Sequence, residues 1–205
     1  MISELTTTTR DGWTVLLTPF RPDDAERVCE ICQDPEIPRW TSVPSVYTLA
    51  TAEEFVNVRA AEAWRQVADG TFRLLDEGPE LVWAVRLTDG PMPGLCGCVG
   101  LKRPGQSNEI GWWLAAEARG HGVIRAAVER VLRTAREELG AADIWWNALV
   151  GNVASARIAQ RTGFRFTGEV AQLANGSGPA WTAVLHPDDP LTPRDDWPVL
   201  TDVVS

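Results

Sequence analysis

One stretch, Glu109 to Arg125, holds the residues best suited to chemistry: Glu109-Ile110-Gly111-Trp112-Trp113-Leu114, then Ala115 to Ala118, then Arg119-Gly120-His121-Gly122-Val123-Ile124-Arg125. It reads as a strand, a short turn and the first turn of a long helix. Gly120 and Gly122 let backbone N–H groups face outward with no side chain in the way. A helix N-terminus with unpaired N–H groups binds anions, phosphate above all. The turn therefore reads as a pyrophosphate site, with the rest of the chain building a cleft beside it.

Charge fits this picture. The 205-residue chain carries a net charge of -9, which argues against general nucleic-acid or anionic-membrane binding. Residues 101–170 nevertheless hold ten Lys/Arg against seven Asp/Glu, while the remainder holds nine against 21. A locally basic region in an acidic protein suits an anionic ligand on one side and a cationic acceptor on the other. A plain solvated acidic surface accounts for the second half of that statement equally well.

The elements that must position this stretch follow from periodicity and punctuation. Residues 13–18 read as a strand, and Asp23 or Asp24 caps a helix running to near Gln33. Residues 35–50, with Pro35, Pro38 and Pro44 around Trp40 and Tyr47, read as an irregular loop. Thr51 then caps a helix that Asp69-Gly70 stops. Strands at 80–88, 95–102 and 108–115, joined by turns at 89–91 and 104–107, make an antiparallel meander. The long helix spans 120–139, with Ala127, Val128, Val131, Leu132 and Ala135 as its buried stripe. A strand at 143–150, apolar on both faces, is central to the sheet. Asn152 caps a helix through Thr162, and residues 164–173 and 180–187 form a final hairpin. The strand–helix–strand unit at 108–150 places two parallel strands side by side. Residues 1–187 read as one domain. Residues 188–205, rich in proline and aspartate, read as a tail that wraps the surface or is disordered.

This order of elements resembles the GNAT superfamily of N-acetyltransferases, and within it the RimJ/RimL-like branch that acetylates ribosomal-protein N-termini. Three motifs carry the resemblance: Glu109 to Leu114, similar to the family's Glu-Ile-Gly-Tyr-Trp-Leu strand; Arg119 to Val123, similar to its Arg/Gln-x-x-Gly-x-Gly/Ala loop; and Asn152 to Arg157 with Thr162-Gly163-Phe164, similar to its Asn-x-x-Ser…Gly-Phe helix. The fold so implied is a mixed α/β one: a twisted, mostly antiparallel central sheet of about seven strands flanked by about four helices, with splayed central parallel strands.

The resemblance also implies a reaction: direct attack of an amine on acetyl-CoA in a ternary complex, without a metal. The acceptor would be a protein N-terminal α-amine or a small-molecule amine. CoA pyrophosphate would lie on the N–H groups of residues 120–125, with Arg119, His121 and Arg125 around it. The pantetheine arm would pair with the strand holding Trp113 and Leu114, and an N–H near Leu114 would polarise the thioester carbonyl. Asn152, Ser155 and Arg157 would contact CoA, with Ser155 also a source of a proton for the departing thiolate. Glu109 stands where many family members keep a base; as a bare sequence feature it is equally a surface carboxylate at a strand start. One departure is Ile124, where the family has Gly or Ala; inside the helix its side chain need not face the phosphates. Two other functions fit the same motifs: a CoA-binding regulatory module without transfer, and transfer of a larger acyl group such as succinyl. Homodimers are frequent among similar proteins.

Ten tryptophans remain. The adjacent pairs Trp112/Trp113 and Trp145/Trp146 point to opposite faces of a sheet, so one member of each belongs to the core. Trp40, Trp112 and Trp146 are the residues expected to line an aromatic acceptor pocket, which suits apolar groups or cations. Cys29, Cys32, Cys96 and Cys98 read as buried core thiols before they read as metal ligands. No apolar run of ~18 residues is present and the N-terminus lacks signal-peptide features, so a cytoplasmic location is expected.

Overall fold

The computed structural model describes residues 2–74, 78–90, 92–103, 107–173 and 178–200. Eight strands form one sheet in the order β1-β2-β3-β4-β5-β6-β8-β7. They are β1 (Leu5–Thr8), β2 (Thr14–Thr18), β3 (Leu81–Leu87), β4 (Gly94–Lys102), β5 (Asn108–Leu114), β6 (Ile144–Leu149), β7 (Arg165–Val170) and β8 (Ala180–Leu185). All neighbours are antiparallel except β5 and β6. The meander, the parallel pair and the final hairpin stand as the sequence predicts. β1 is not anticipated from the sequence, because a leucine and three threonines give too short an alternation to mark a strand; pairing with β2 makes it one. The expected turns at 91, 104–106 and 174–177 lie outside the described residues.

The helices are α1 (Asp24–Ile31), α2 (Glu36–Trp40), α3 (Leu49–Glu54), α4 (Ala60–Ala68), α5 (Val123–Glu137) and α6 (Val153–Arg161). A π-helical turn, Phe55–Arg59, joins α3 to α4. Four local expectations change. The stretch expected to be irregular contains α2. The cap of α3 is Thr48, whose side chain accepts from the Thr51 N–H, because Thr48 and not Thr51 has the extended backbone a cap needs. Neither Asp23 nor Asp24 caps α1 as an acceptor for its first turn. Asp24 is buried and pairs with Arg86 through contacts of 2.9 and 2.5 Å, tying α1 to β3. Finally, α5 starts at Val123, so residues 119–122 are turn rather than helix.

α5 and α6 pack against each other and against the sheet, and the predicted stripe Ala127, Val128, Val131, Leu132 and Ala135 is fully buried there. α1 packs against β4 and α4 against β3. The described stretch after β8 is pinned at Asp189 and at Trp197. The buried Asp189 accepts two 2.9 Å hydrogen bonds from Arg165 Nε, and Trp197 donates its indole N–H to the Phe164 carbonyl at 2.7 Å. Cys32, Cys96 and Cys98 are buried thiols, and burial pushes Cys96 up to about 11 and Cys32 up to about 12.

The relation that positions a site is the contact between β5 and β6. Only Asn108 with Ile144 and Glu109 with Trp145 are in register; beyond them the two strands part. Residues Ile110 to Leu114 and Trp146 to Leu149 therefore border an open wedge in the sheet.

Candidate active site

The wedge has backbone donors on its β5 side. Ala115 donates its N–H to the Cys96 carbonyl at 2.7 Å. In an antiparallel ladder successive residues alternate their N–H direction, so Trp112 and Leu114 turn theirs toward the gap. Since the wedge closes at Glu109, its deep end lies nearer Trp112 than Leu114.

Where β5 ends, the Gly-rich turn begins. Gly120 and Gly122 have φ of 84° and 75°, and Gly122 is the N-cap of α5. A residue with a side chain adopts that left-handed conformation at a cost. No side chain caps α5, and no acid stands in its first turn. A Cβ on either glycine would meet nothing within 4 Å. The backbone donors at the head of α5 thus face open space, with Ala126 making the first intrahelical bond to Gly122. Val123 and Ile124 are buried, so the bulk of Ile124 goes into the core and leaves the turn clear.

The charged side chains here already have partners. Arg119 donates to Asp34 at 2.6 Å and to the Leu114 carbonyl at 3.0 Å, clasping the turn to the connection between α1 and α2. Arg125 pairs with Glu129 at 2.8 Å, one helical turn on. Arg119 and Arg125, expected to lend their charge to the pyrophosphate, thus each also face a carboxylate. His121 rests on the Trp13 ring, with centroids 4.7 Å apart.

Two faces of the sheet meet at the wedge. Glu109, Trp145 and Asn147 share one face by alternation. Glu109 is held there from two sides, by Lys102 at 3.0 Å and by Asn147 Nδ2 at 3.0 Å. Trp146 points to the other face, where its indole N–H donates to Ser155 Oγ at 3.0 Å. The Ser155 N–H in turn donates to the cap residue Asn152 at 3.1 Å, as the sequence predicts for that cap. Ser155 keeps its own hydroxyl proton free of any acceptor among the described residues. A carboxylate able to take a proton and a hydroxyl able to give one thus stand on opposite faces of one gap. Arg157 is exposed on the first turns of α6.

The expected acceptor pocket is redrawn. Trp146 is 1% exposed and packs on Trp197, so it is core. Trp112 pairs with Val99 and so faces away from Glu109 as well. The aromatic residues on Glu109's face are Trp113 and Trp145, because the side-chain period of a strand is two. Trp40 is held at the end of α2 by Glu36 at 2.9 Å, with Arg39 stacked 4.7 Å above it, and the described contacts do not bring it to Glu109. Sequence reasoning missed Asn147, Trp145, Asp34 and Glu80. No local signal marks the last: only the pairing of β3 with β4 brings Glu80 over Gly100, beside Gly111 and Glu109.

Known proteins resemble this chain in sequence and in fold. Residues 14–165 match the family described as acetyltransferase (GNAT) domain. The Bacillus subtilis (strain 168) protein YdaF, provisionally named a ribosomal N-acetyltransferase, is 29% identical over 147 residues, which is 71% of this chain and 74% of that one. A GNAT-family acetyltransferase from Bacillus anthracis superposes with a TM-score of 0.71 at 16% identity, covering 90% of this chain and 99% of that one. Mycobacterium smegmatis RimJ, solved in complex with CoA-disulfide, gives a TM-score of 0.70 at 17% identity over 89% and 86% of the two chains.

Proposed function

The chain belongs to the GNAT acetyltransferase family, and from that premise we propose that it moves the acetyl group of acetyl-CoA to a primary amine by direct attack in the wedge between β5 and β6. Family membership makes it an acyltransferase. The donor, the acceptor and the roles of individual residues are our reading. The observation that carries it is the parting of β5 and β6 beyond Glu109 and Trp145, with Glu109 on one face and Ser155 on the other.

The pyrophosphate of acetyl-CoA lies on the N–H groups at the head of α5, where no acid and no side-chain cap competes. Its pantetheine arm completes β5 as an added edge, using the inward N–H groups of Trp112 and Leu114. An amide near the deep end of the wedge polarises the thioester carbonyl and stabilises the oxyanion that forms on attack. The amine enters from the face of Glu109, which offers it a carboxylate. Ser155, its oxygen occupied by the Trp146 indole, points its hydroxyl proton at the leaving thiolate. Attack and departure on opposite faces give the tetrahedral intermediate room to form and collapse. The acceptor is a protein N-terminal α-amine or a small-molecule amine, a reading supported by likeness to YdaF and RimJ.

Calorimetric titration with acetyl-CoA, followed by addition of an amine panel, tests this function. Stoichiometric binding and amine-dependent release of free thiol are expected. Absence of binding contradicts the reading, whereas binding without release leaves a CoA-binding module.

A further inference from the structure

Gly100 on β4 and Gly111 on β5 are cross-strand partners on the face that carries Glu109. Together they leave the sheet bare. A Cβ at Gly100 would stand 2.1 Å from Glu80 Oε1 and 2.9 Å from its Cδ, so the Glu80 carboxylate lies directly on that glycine. A Cβ at Gly111 would meet nothing within 4 Å, so the space beside it is open. Directly opposed positions in a sheet are about 5 Å apart, and Gly111 is two residues from Glu109 on the same strand. The open space over Gly111 is thus flanked by two carboxylates.

These two acids keep different company. Glu109 is committed to Lys102 and Asn147. Glu80 has no hydrogen-bond donor among the described residues. The groups that face it are Arg59 from the π-helical turn, Glu62 from α4, Cys98 and Lys102 from β4, and Glu109 from β5. Burial holds the Glu80 carboxyl above the usual carboxylate range, against the pull of Lys102 and Arg59. Beside it opens a cavity of about 350 Å³, walled by Phe55, Val58 and Val82. The π-helical turn supplies two of those residues; such turns are rare and recur at functional sites.

We propose that the acceptor amine sits over Gly111 and that Glu80, rather than Glu109, takes its proton. This deepens the transferase reading above and rests on it. R–NH3+ gives a proton to the Glu80 carboxylate and becomes R–NH2. The nitrogen lone pair forms the C–N bond to the thioester carbon, and the C–S bond breaks with its electron pair left on sulfur. The second nitrogen proton passes to the thiolate through the Ser155 hydroxyl, giving CoA-SH and the amide. Glu80 then returns its proton to water through the cavity. Two carboxylates whose surroundings differ so much divide the work: one holds position and the other cycles a proton.

The test is the pH dependence of kcat for the whole protein with acetyl-CoA. The probes are hexapeptides with a free N-terminal serine or alanine, benzylamine, and hydroxylamine, which is unprotonated near neutral pH. Glu80→Gln is expected to lower kcat with the peptides and benzylamine by about 100-fold and remove the acid limb of the profile. It should spare hydroxylamine and leave acetyl-CoA affinity unchanged. Gly100→Ala displaces only the flexible end of Glu80 and should remove the same limb in a folded protein. Glu80→Asp should keep a limb at reduced rate. An unchanged limb in both Glu80→Gln and Gly100→Ala overturns the proposal, as does a limb that Glu109→Gln alone removes. A wild-type protein that binds acetyl-CoA but releases no thiol with any probe overturns the transferase reading itself, and the proposal with it.

Discussion

Asn147 on β6 donates its side-chain N–H to Glu109 on β5 at 3.0 Å, bridging the two parallel strands at the point where they begin to part. The bond fixes both the carboxylate and the width of the wedge. A hydrogen bond to a charged group contributes about 1.5–3 kcal/mol. Asn147→Ala is expected to lower kcat roughly tenfold while the KM for acetyl-CoA stays near its wild-type value. Steady-state thiol release measures both constants. Equal loss in both would mean that Asn147 holds up the donor site instead.

At the other end of the wedge, bulk at the head of α5 should close the phosphate site. Gly122→Trp is expected to weaken acetyl-CoA binding by about 100-fold or more, read by calorimetry. Gly122→Ala separates backbone strain from blockage. It costs about 1–2 kcal/mol of stability for its left-handed conformation but should keep most of the affinity. Similar affinities in both variants would place the phosphates elsewhere.

Those glycines belong to the part of the site that is legible in the sequence. Gly120 and Gly122, the cap at Asn152 and the strand from Glu109 are local signals, and local chemistry sets them. What the sequence hides is what depends on partners distant along the chain. β1 is a strand because β2 is beside it, and Asp24 turns from cap to ion-pair partner because Arg86 arrives from β3. Which tryptophan of each pair faces the acceptor depends on register, and a one-residue error in parity reverses it. Glu80 has no local pattern at all; its place over Gly100 comes from the pairing of β3 with β4.

Ser155 has a separable role. Ser155→Ala removes the hydroxyl bonded to Trp146 and is expected to lower kcat by about 10- to 100-fold, with little effect on acetyl-CoA affinity. The loss should shrink when the leaving group is a better one, such as a thioester of a more acidic thiol. A loss independent of the leaving group would reduce Ser155 to a contact residue.

Acid sensitivity should appear in stability at Asp189. The Arg165 guanidinium holds that carboxyl down at about 2, although burial opposes it. Its folded value lies below its unfolded one of about 4, so its contribution is complete above the unfolded value and fades as pH falls toward the folded one. Because Arg165 is half exposed, solvent screens the pair and its contribution is small. Asp189→Asn should lower the melting temperature at neutral pH and leave the variant and wild type equal at the lowest pH. A difference that does not vary with pH would point to packing instead of charge.

The proposed chemistry stands or falls on direct transfer across the wedge from donor to amine. A rapid-quench single turnover with acetyl-labelled acetyl-CoA and an accepted amine decides it. Direct transfer predicts that label leaves acetyl-CoA and appears on the amine in one step, matched by free thiol, with none bound covalently to the protein at any time. Label that accumulates on the protein before the amine, or thiol release without an acetylated amine, would contradict it.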